Sequence, residues 1–390
     1  MAKTFDTIVI GLGAMGSAAL YQLAKKGNRV LGVDRFSPPH IYGSTHGDTR
    51  ITRLAIGEGS HYTPLAQRSH ALWREIERET GDDLLTTQGG LIISSRARTA
   101  VNHVANFFEN TIAIAREHGI AHELLDAQTI RARFPQFKIK DDESGYFEKD
   151  AGFIRPEKCV GAQLALAGKY GAQIHLNEKV MEYSADHDVK VKTDQDTYTA
   201  EKLVITAGPW ISQLIDAEYS QHFKVIRQVM YWFDIEKSFH HFTPEKIPIF
   251  IWEVQGKHKG IYGLPAINGP QGGLKIASEQ YETTSTPQTI NREVSQREIR
   301  DMYEELVAPY VTEVAPKCVK AATCIYTVTP DAGFVIDYHP KHPNVVIASP
   351  CSGHGFKHSA AIGELLSEMV MDGMTRFDIG KFRLNRDFRA

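Results

Sequence analysis

Apolar and polar positions change their period several times along the chain. The first change comes within the opening residues. Thr7–Ile10 is a short β-branched run and predicts a strand. Gly11–Ser17 breaks it, and Ala14–Lys26 has helical composition with Gly27 placed to end the helix. Arg29–Asp34 is a second strand-like run, so the segment reads as one βαβ unit with a parallel sheet. Leu203–Trp210 predicts a buried strand running into a glycine turn. Asn344–Val370 predicts a strand, a glycine-rich loop and a long helix. Its positions Ala360, Ile362, Leu365, Leu366 and Met369 keep a helical period.

Other stretches differ. Residues 85–149 predict an amphipathic helix over Val101–His118, strand-like LLTTQGGLIIS before it and a polar loop after it. Residues 216–320 alternate the strand-like runs VMYWFDI, IPIFIW and GIYGLP with Pro and Gly turns. The expected fold class is α/β, α+β overall. A Rossmann-type cofactor domain (1–84, 150–215 and 321–390) carries a discontinuous substrate domain (85–149 and 216–320) built on a mixed β-sheet.

Bulk composition narrows the classes. The chain has 390 residues, 42% of them hydrophobic and 23% charged, which supplies a sizeable core. A net charge of -3 gives no global field for nucleic acid or anionic lipid. No apolar run approaches the roughly 20 residues of a membrane helix. Four cysteines without a CxxC pair do not form a disulfide framework. The expectation is a cytoplasmic protein that binds neither nucleic acid nor membrane and carries no metal.

Gly11-Leu12-Gly13-Ala14-Met15-Gly16 is a G-x-G-x-x-G loop between a strand and a helix. Gly11 permits the turn, Gly13 lets a pyrophosphate approach, and Gly16 lets helix and strand close. Asp34 ends the second strand where a ribose-binding acid belongs. The motif does not separate FAD from NAD. Downstream, Gly43-Ser44-Thr45-His46-Gly47-Asp48-Thr49-Arg50-Ile51-Thr52-Arg53 is small and polar, then doubly basic. Arg50 and Arg53 would share a face if they stood on one helical turn, and two guanidiniums there suit a carboxylate or a negatively charged ring system. A solvated basic patch has the same spacing.

The chain resembles the monomeric sarcosine oxidase and N-methyltryptophan oxidase family of FAD-dependent amine oxidases. The resemblance rests on the glycine loop, Pro38–His40 before GSTHGDTRITR, Gly57–Ala66, Ala321–Pro340 and Ser352–Ser359, in order over nearly the whole chain. It implies FAD, covalently joined through Cys324. It implies that Ser44, Thr45 and Arg50 lie by the cofactor, and that Gly353, His354 and Gly355, opening the last helix, face the flavin ring. Arg53 and Lys357 would grip a substrate carboxylate, Lys275 would assist oxygen, and Tyr262 and Tyr326 would line the pocket. Read alone, Cys324 is a buried apolar cysteine and Lys357 a surface lysine.

Two positions depart from the family pattern. Glu279 stands where a histidine is common, and Ile56 where a tyrosine is. A carboxylate at 279 would attract a basic side chain or an extra amine, or else point to solvent. The implied activity is oxidation of a secondary (N-methyl or N-alkyl) amino acid by a monomer, giving an imine and hydrogen peroxide. The alternatives are an amine dehydrogenase with another acceptor, a nicotinamide-dependent dehydrogenase and a non-catalytic flavin-binding protein.

Overall fold

The computed structural model describes residues 4–95, 104–254 and 260–388. Over these described residues it is a mixed α/β structure with two large sheets and a small one. In the first sheet Thr4–Ile10 lies parallel to both Val30–Asp34 and Thr197–Ile205. Gln173–Leu176 extends it beyond Val30–Asp34, and His342–Ser349 runs parallel to Leu203–Ile205. Three antiparallel strands, Val180–Ala185, Val189–Thr193 and Val335–His339, complete eight.

Helix Ala14–Lys25 packs against Pro156–Lys169 and Ser359–Asp372. Leu20, Leu23, Leu365 and Leu366 are fully buried in the shared core. At the crossing, a Cβ on Gly363 would meet the Ala18 Cβ at 2.4 Å. The two helices touch backbone to backbone only because residue 363 has no side chain.

The second sheet has nine strands. Its order begins Thr284–Ser285, Lys224–Ile235, Leu274–Ser278, Ile261–Leu264 and Ile249–Trp252. It continues through Gly90–Ser95, Glu143–Glu148 and Glu123–Asp126. Among the described residues, only the Ile249–Trp252 and Gly90–Ser95 pair of this sheet is parallel. The long strand Val314–Val328 pairs with Lys224–Ile235 and carries Cys324 and Tyr326. The third sheet joins Arg50–Thr52, Gly152–Ile154 and Leu85–Thr87.

The structure corrects three local readings. Arg50 begins a strand paired with Gly152–Ile154 and Arg53 follows that strand, so the two do not share a helical turn. The helix expected over Val101–His118 runs Phe107–Glu117, and residues 101–103 lie outside the described residues. The expected polar loop after it folds into strand Glu123–Asp126, helix Ala127–Arg133 and strand Glu143–Glu148. Two buried acids hid the last strand's pattern. Glu143 accepts a hydrogen bond from the Trp252 indole at 2.8 Å, and Glu148 accepts from the backbone N–H of Leu54 at 2.6 Å and the Tyr146 hydroxyl at 2.9 Å.

Candidate active site

The glycine loop opens onto a cavity of about 280 Å³. Gly11 has φ +85°, and a Cβ there would meet the Thr206 carbonyl oxygen at 2.7 Å. A Cβ on Gly16 would sit 1.7 Å from the Gly11 oxygen, so this position must be glycine for the helix to close on the strand. Gly13 differs: a Cβ there would have only the Thr45 hydroxyl within 4 Å, at 3.9 Å, and would project into the cavity. No side chain caps the helix that follows, and no acid stands in its first turn. The free N–H groups and helix dipole are therefore presented to the cavity, as an anion requires.

Asp34 closes the other side of the loop. Its carboxylate accepts from Leu12 N at 2.7 Å and from Phe36 N at 2.8 Å, and burial pushes its pKa up. Ser44, Thr45, Arg50, Gly353 and Gly355 also line this cavity. The residues fit a dinucleotide: a bare backbone for the diphosphate, an acid for a ribose, and length toward Gly353 for a ring system. His46, which motif reading left without a role, is buried nearby with Nε2 unpartnered. Burial and then Arg50 hold its pKa down at about 3, so it is neutral at physiological pH.

A second cavity, about 100 Å³, adjoins the first and shares Arg50, Tyr326, Gly353 and Phe356 with it. The expected residues Arg53, Tyr262, Lys275, Glu279, Cys324, His354 and Lys357 all line it. They come from the small sheet, the second sheet and the loop before the last helix. That loop does not enter the helix directly: a 3-10 turn, Phe356–His358, precedes Ser359–Asp372.

Arg50 binds the Ser44 carbonyl at 2.9 Å and that of Thr49 at 3.0 Å. Its Nη2 is 3.5 Å from the Cys324 sulfur. The guanidinium thus faces both the cofactor cavity and the thiol. Lys275 is 1% exposed, and its ammonium donates to the carbonyls of Gly47 at 2.8 Å and Thr49 at 2.7 Å. It also stands 5.3 Å from the Trp232 ring centre. Burial, with Arg50 adding, pushes its pKa well down, while the two carbonyls and the indole face favour the ammonium.

Arg53 and Lys357 are turned toward protein partners. Arg53 pairs with Glu58 at 2.6 Å, both 3% exposed, and stacks over Phe107 with its guanidinium 5.0 Å from the ring centre. Lys357 donates to the His354 carbonyl at 2.7 Å, and burial lowers its pKa to about 7. Motif reading missed Glu58, Phe107 and Met230, all of which line this cavity. Glu58 lies within the quoted stretch Gly57–Ala66 but carries no signal of its own until Arg53 is placed beside it. Among the described residues no group of three or more His, Cys, Asp or Glu could hold a metal ion. None of the described helices is long and apolar enough to cross a membrane.

Comparison with known proteins gives consistent matches. Residues 6–369 match the family model for FAD dependent oxidoreductases. The chain is 40% identical to monomeric sarcosine oxidase of Streptomyces avermitilis, over 98% of this chain and 97% of that protein. It is 33% identical to N-methyl-L-tryptophan oxidase of Escherichia coli, over 98% of this chain and 99% of that protein. Among solved structures it is similar to NikD, an amino acid oxidase, in its open form. The TM-score is 0.83 at 22% identity, covering 98% of this chain and 97% of NikD.

Proposed function

Because the chain belongs to the FAD-dependent oxidoreductase family, beside monomeric sarcosine oxidase and N-methyl-L-tryptophan oxidase, we propose that it oxidises a secondary, N-methyl or N-alkyl, amino acid. The products are an imine, which hydrolyses, and hydrogen peroxide. The observation that carries this reading is the junction of the two cavities. A cavity lined by the glycine loop and Asp34 meets a smaller one, lined by Arg50, Arg53, Lys275 and Lys357, at Arg50, Tyr326, Gly353 and Phe356.

Bound in the first cavity, FAD supplies the acceptor for a hydride equivalent and returns the electrons to oxygen. The chain supplies orientation and electrostatics. Arg53 leaves Glu58, or shares it, to hold the substrate carboxylate with Lys357, one as a fork and the other as a point charge. That fixes the α-carbon and N-alkyl carbon toward the shared wall, and the burial of Lys275, Cys324 and Tyr326 keeps water from the reacting end. Lys275 supplies fixed positive charge where an oxygen anion develops. Cys324, with the Arg50 guanidinium beside its sulfur, is the residue for a covalent thioether to the flavin. The cofactor unit is residues 1–84, 150–215 and 321–390, the substrate unit is 85–149 and 216–320, and the protein acts as a monomer.

The test is anaerobic mixing of the purified yellow protein with N-methyl, cyclic and glycated amino acids while the flavin absorbance is followed. An N-methyl or N-alkyl amino acid should bleach it, and admitting air should restore the colour with one peroxide per turnover. Bleaching that air does not reverse would make it a dehydrogenase. No bleaching by any amine, with FAD bound, would leave a non-catalytic flavin protein.

A further inference from the structure

Lys275 is held by a turn, and the turn is held by Glu157, a residue that lines neither cavity. Gly47 has φ +96° and Asp48 has φ +69°, and the Thr49 N–H donates to the Gly47 carbonyl at 2.7 Å. A bond from residue i+2 back to residue i, closed around a positive φ, marks the rare and strained form of γ-turn. Such strain persists only where the surroundings over-determine it. Asp48 is braced from the solvent side. Lys320 Nζ donates to its two carboxylate oxygens at 3.0 and 2.8 Å, and Asn268 Nδ2 donates to one of them at 3.3 Å.

The backbone of the turn has two faces. On one, the Gly47 and Thr49 carbonyls accept from the Lys275 ammonium at 2.8 and 2.7 Å. On the other, the N–H groups of Gly47 and Asp48 donate to a single oxygen, Glu157 Oε1, at 2.5 and 3.2 Å. Successive N–H groups aimed at one point form a nest for an anion, and the Glu157 carboxylate fills it. The peptide unit between Gly47 and Asp48 is planar, so its N–H and its C=O turn together. That one plane is bonded to Glu157 through the N–H and to Lys275 through the C=O. Glu157 is itself fixed in the first turn of helix Pro156–Lys169, directly after Pro156. Charge acts along the same line. Burial and then Arg50 disfavour the ammonium at Lys275, while Asp48, Cys324 and Glu157 favour it.

We propose that Glu157 is a positioning residue for Lys275: it fixes the Gly47–Asp48 peptide plane, and with it the ammonium that assists oxygen, and takes no part in oxidation of the amine. In the oxygen step O2 takes up two electrons and two protons and leaves as hydrogen peroxide. Its first electron makes it an anion, which a cation placed in advance stabilises. This assignment rests on the amine-oxidase reading above.

Three variants separate the acceptor from the charge. Glu157→Gln keeps an oxygen where Oε1 stands and removes the charge. Glu157→Met and Glu157→Ala, which differ in how far they fill the space, both remove the acceptor. The flavin-loaded proteins would be reduced with dithionite, freed of excess reductant and mixed with oxygen, so that reoxidation is followed without any amine. The methionine and alanine variants should reoxidise about tenfold more slowly, while anaerobic bleaching by an amine keeps its native rate. The glutamine variant should stay within about threefold of the native protein, because the accepting oxygen remains. Lys275 supplies a readout other than turnover, through labelling with acetic anhydride and peptide mass spectrometry. A buried ammonium bonded to two carbonyls is acylated slowly. Relative to surface lysines, its labelling should rise about tenfold in the methionine and alanine variants and little in the glutamine variant. Native reoxidation rates in the methionine and alanine variants, equal slowing of bleaching and reoxidation, or a glutamine variant as slow as the other two would overturn the assignment. So would a Lys275→Met variant that reoxidises at the native rate. Failure of the oxidase reading looks different: no amine bleaches the native protein, yet its dithionite-reduced flavin reoxidises at a rate that depends on Glu157.

Discussion

Lys357 shows how burial converts an ordinary surface residue type into a tuned group. Burial lowers its pKa to about 7, Glu58 and Glu279 oppose that shift, and Arg53 adds to it. His358 beside it is pushed well below its usual pKa by burial, so it stays neutral through the neutral range. Between about pH 7 and the usual lysine value, the folded protein holds fewer protons here than the unfolded chain. Stability at this site therefore rises with pH across that window. Carboxylate binding has the opposite sign, because the anion prefers the ammonium form. The dissociation constant for a simple carboxylate such as hexanoate should be flat below about pH 7. Above it the constant should rise, by up to about tenfold per pH unit. Lys357→Met should bind more weakly at pH 6 and lose the slope, and titrations from pH 6 to 9 would show both. An unchanged slope in the variant would remove Lys357 from the carboxylate site.

Elements differ in how much of their role the sequence discloses. The Gly11–Gly16 turn was legible because its demands are local: a positive φ, an open face and a close contact all fall within six residues. Cys324 and Tyr326 were assignable by motif, and their alternation on one strand puts both at the cavities. Arg50 and Arg53 do not share the helical turn that their spacing allowed, because the strand that holds Arg50 is defined by pairing with Gly152–Ile154, about a hundred residues away. Strand Glu143–Glu148 was lost because its buried acids look polar in sequence and are satisfied only by distant donors. Gly363 reads as a mild helix breaker in sequence but is the contact point of two helices in space. Gly363→Ala would press a methyl group onto the Ala18 backbone, with the nearest carbon of that backbone at 2.5 Å. Overpacking of this kind costs about 1–3 kcal/mol. One of these helices starts at the phosphate loop and the other follows Lys357. Gly363→Ala should therefore lower the urea midpoint and weaken FAD retention together. A lowered midpoint with unchanged cofactor affinity would mean that the helices shift without moving their N-terminal ends.

At the scale of the whole molecule, the cofactor cavity is where distant parts of the chain converge. Its lining comes from residues 10–15, 33–50, 178–181, 206–214 and 348–356, with Val160 from helix Pro156–Lys169 and Tyr326 from the second sheet. A dinucleotide held there bridges strands that otherwise meet only through the first sheet, and bridges that sheet to the second. Occupancy should therefore stabilise the entire fold through mass action, by about 2.7 kcal/mol when free FAD exceeds its dissociation constant a hundredfold. Cys324→Ser makes this measurable because it removes the proposed thioether. The native protein should keep yellow fluorescence on a denaturing gel, and the variant should release its flavin. Dialysed variant should then unfold at lower urea than the same variant with added FAD, and the gap should grow with the logarithm of FAD concentration. If the proposed thioether tethers the flavin of the native protein, dilution cannot remove it, and the native midpoint should not respond to added FAD. A native protein that releases its flavin on the gel would exclude the thioether. A dialysed variant whose midpoint ignored FAD would mean that the converging segments are held by the protein alone.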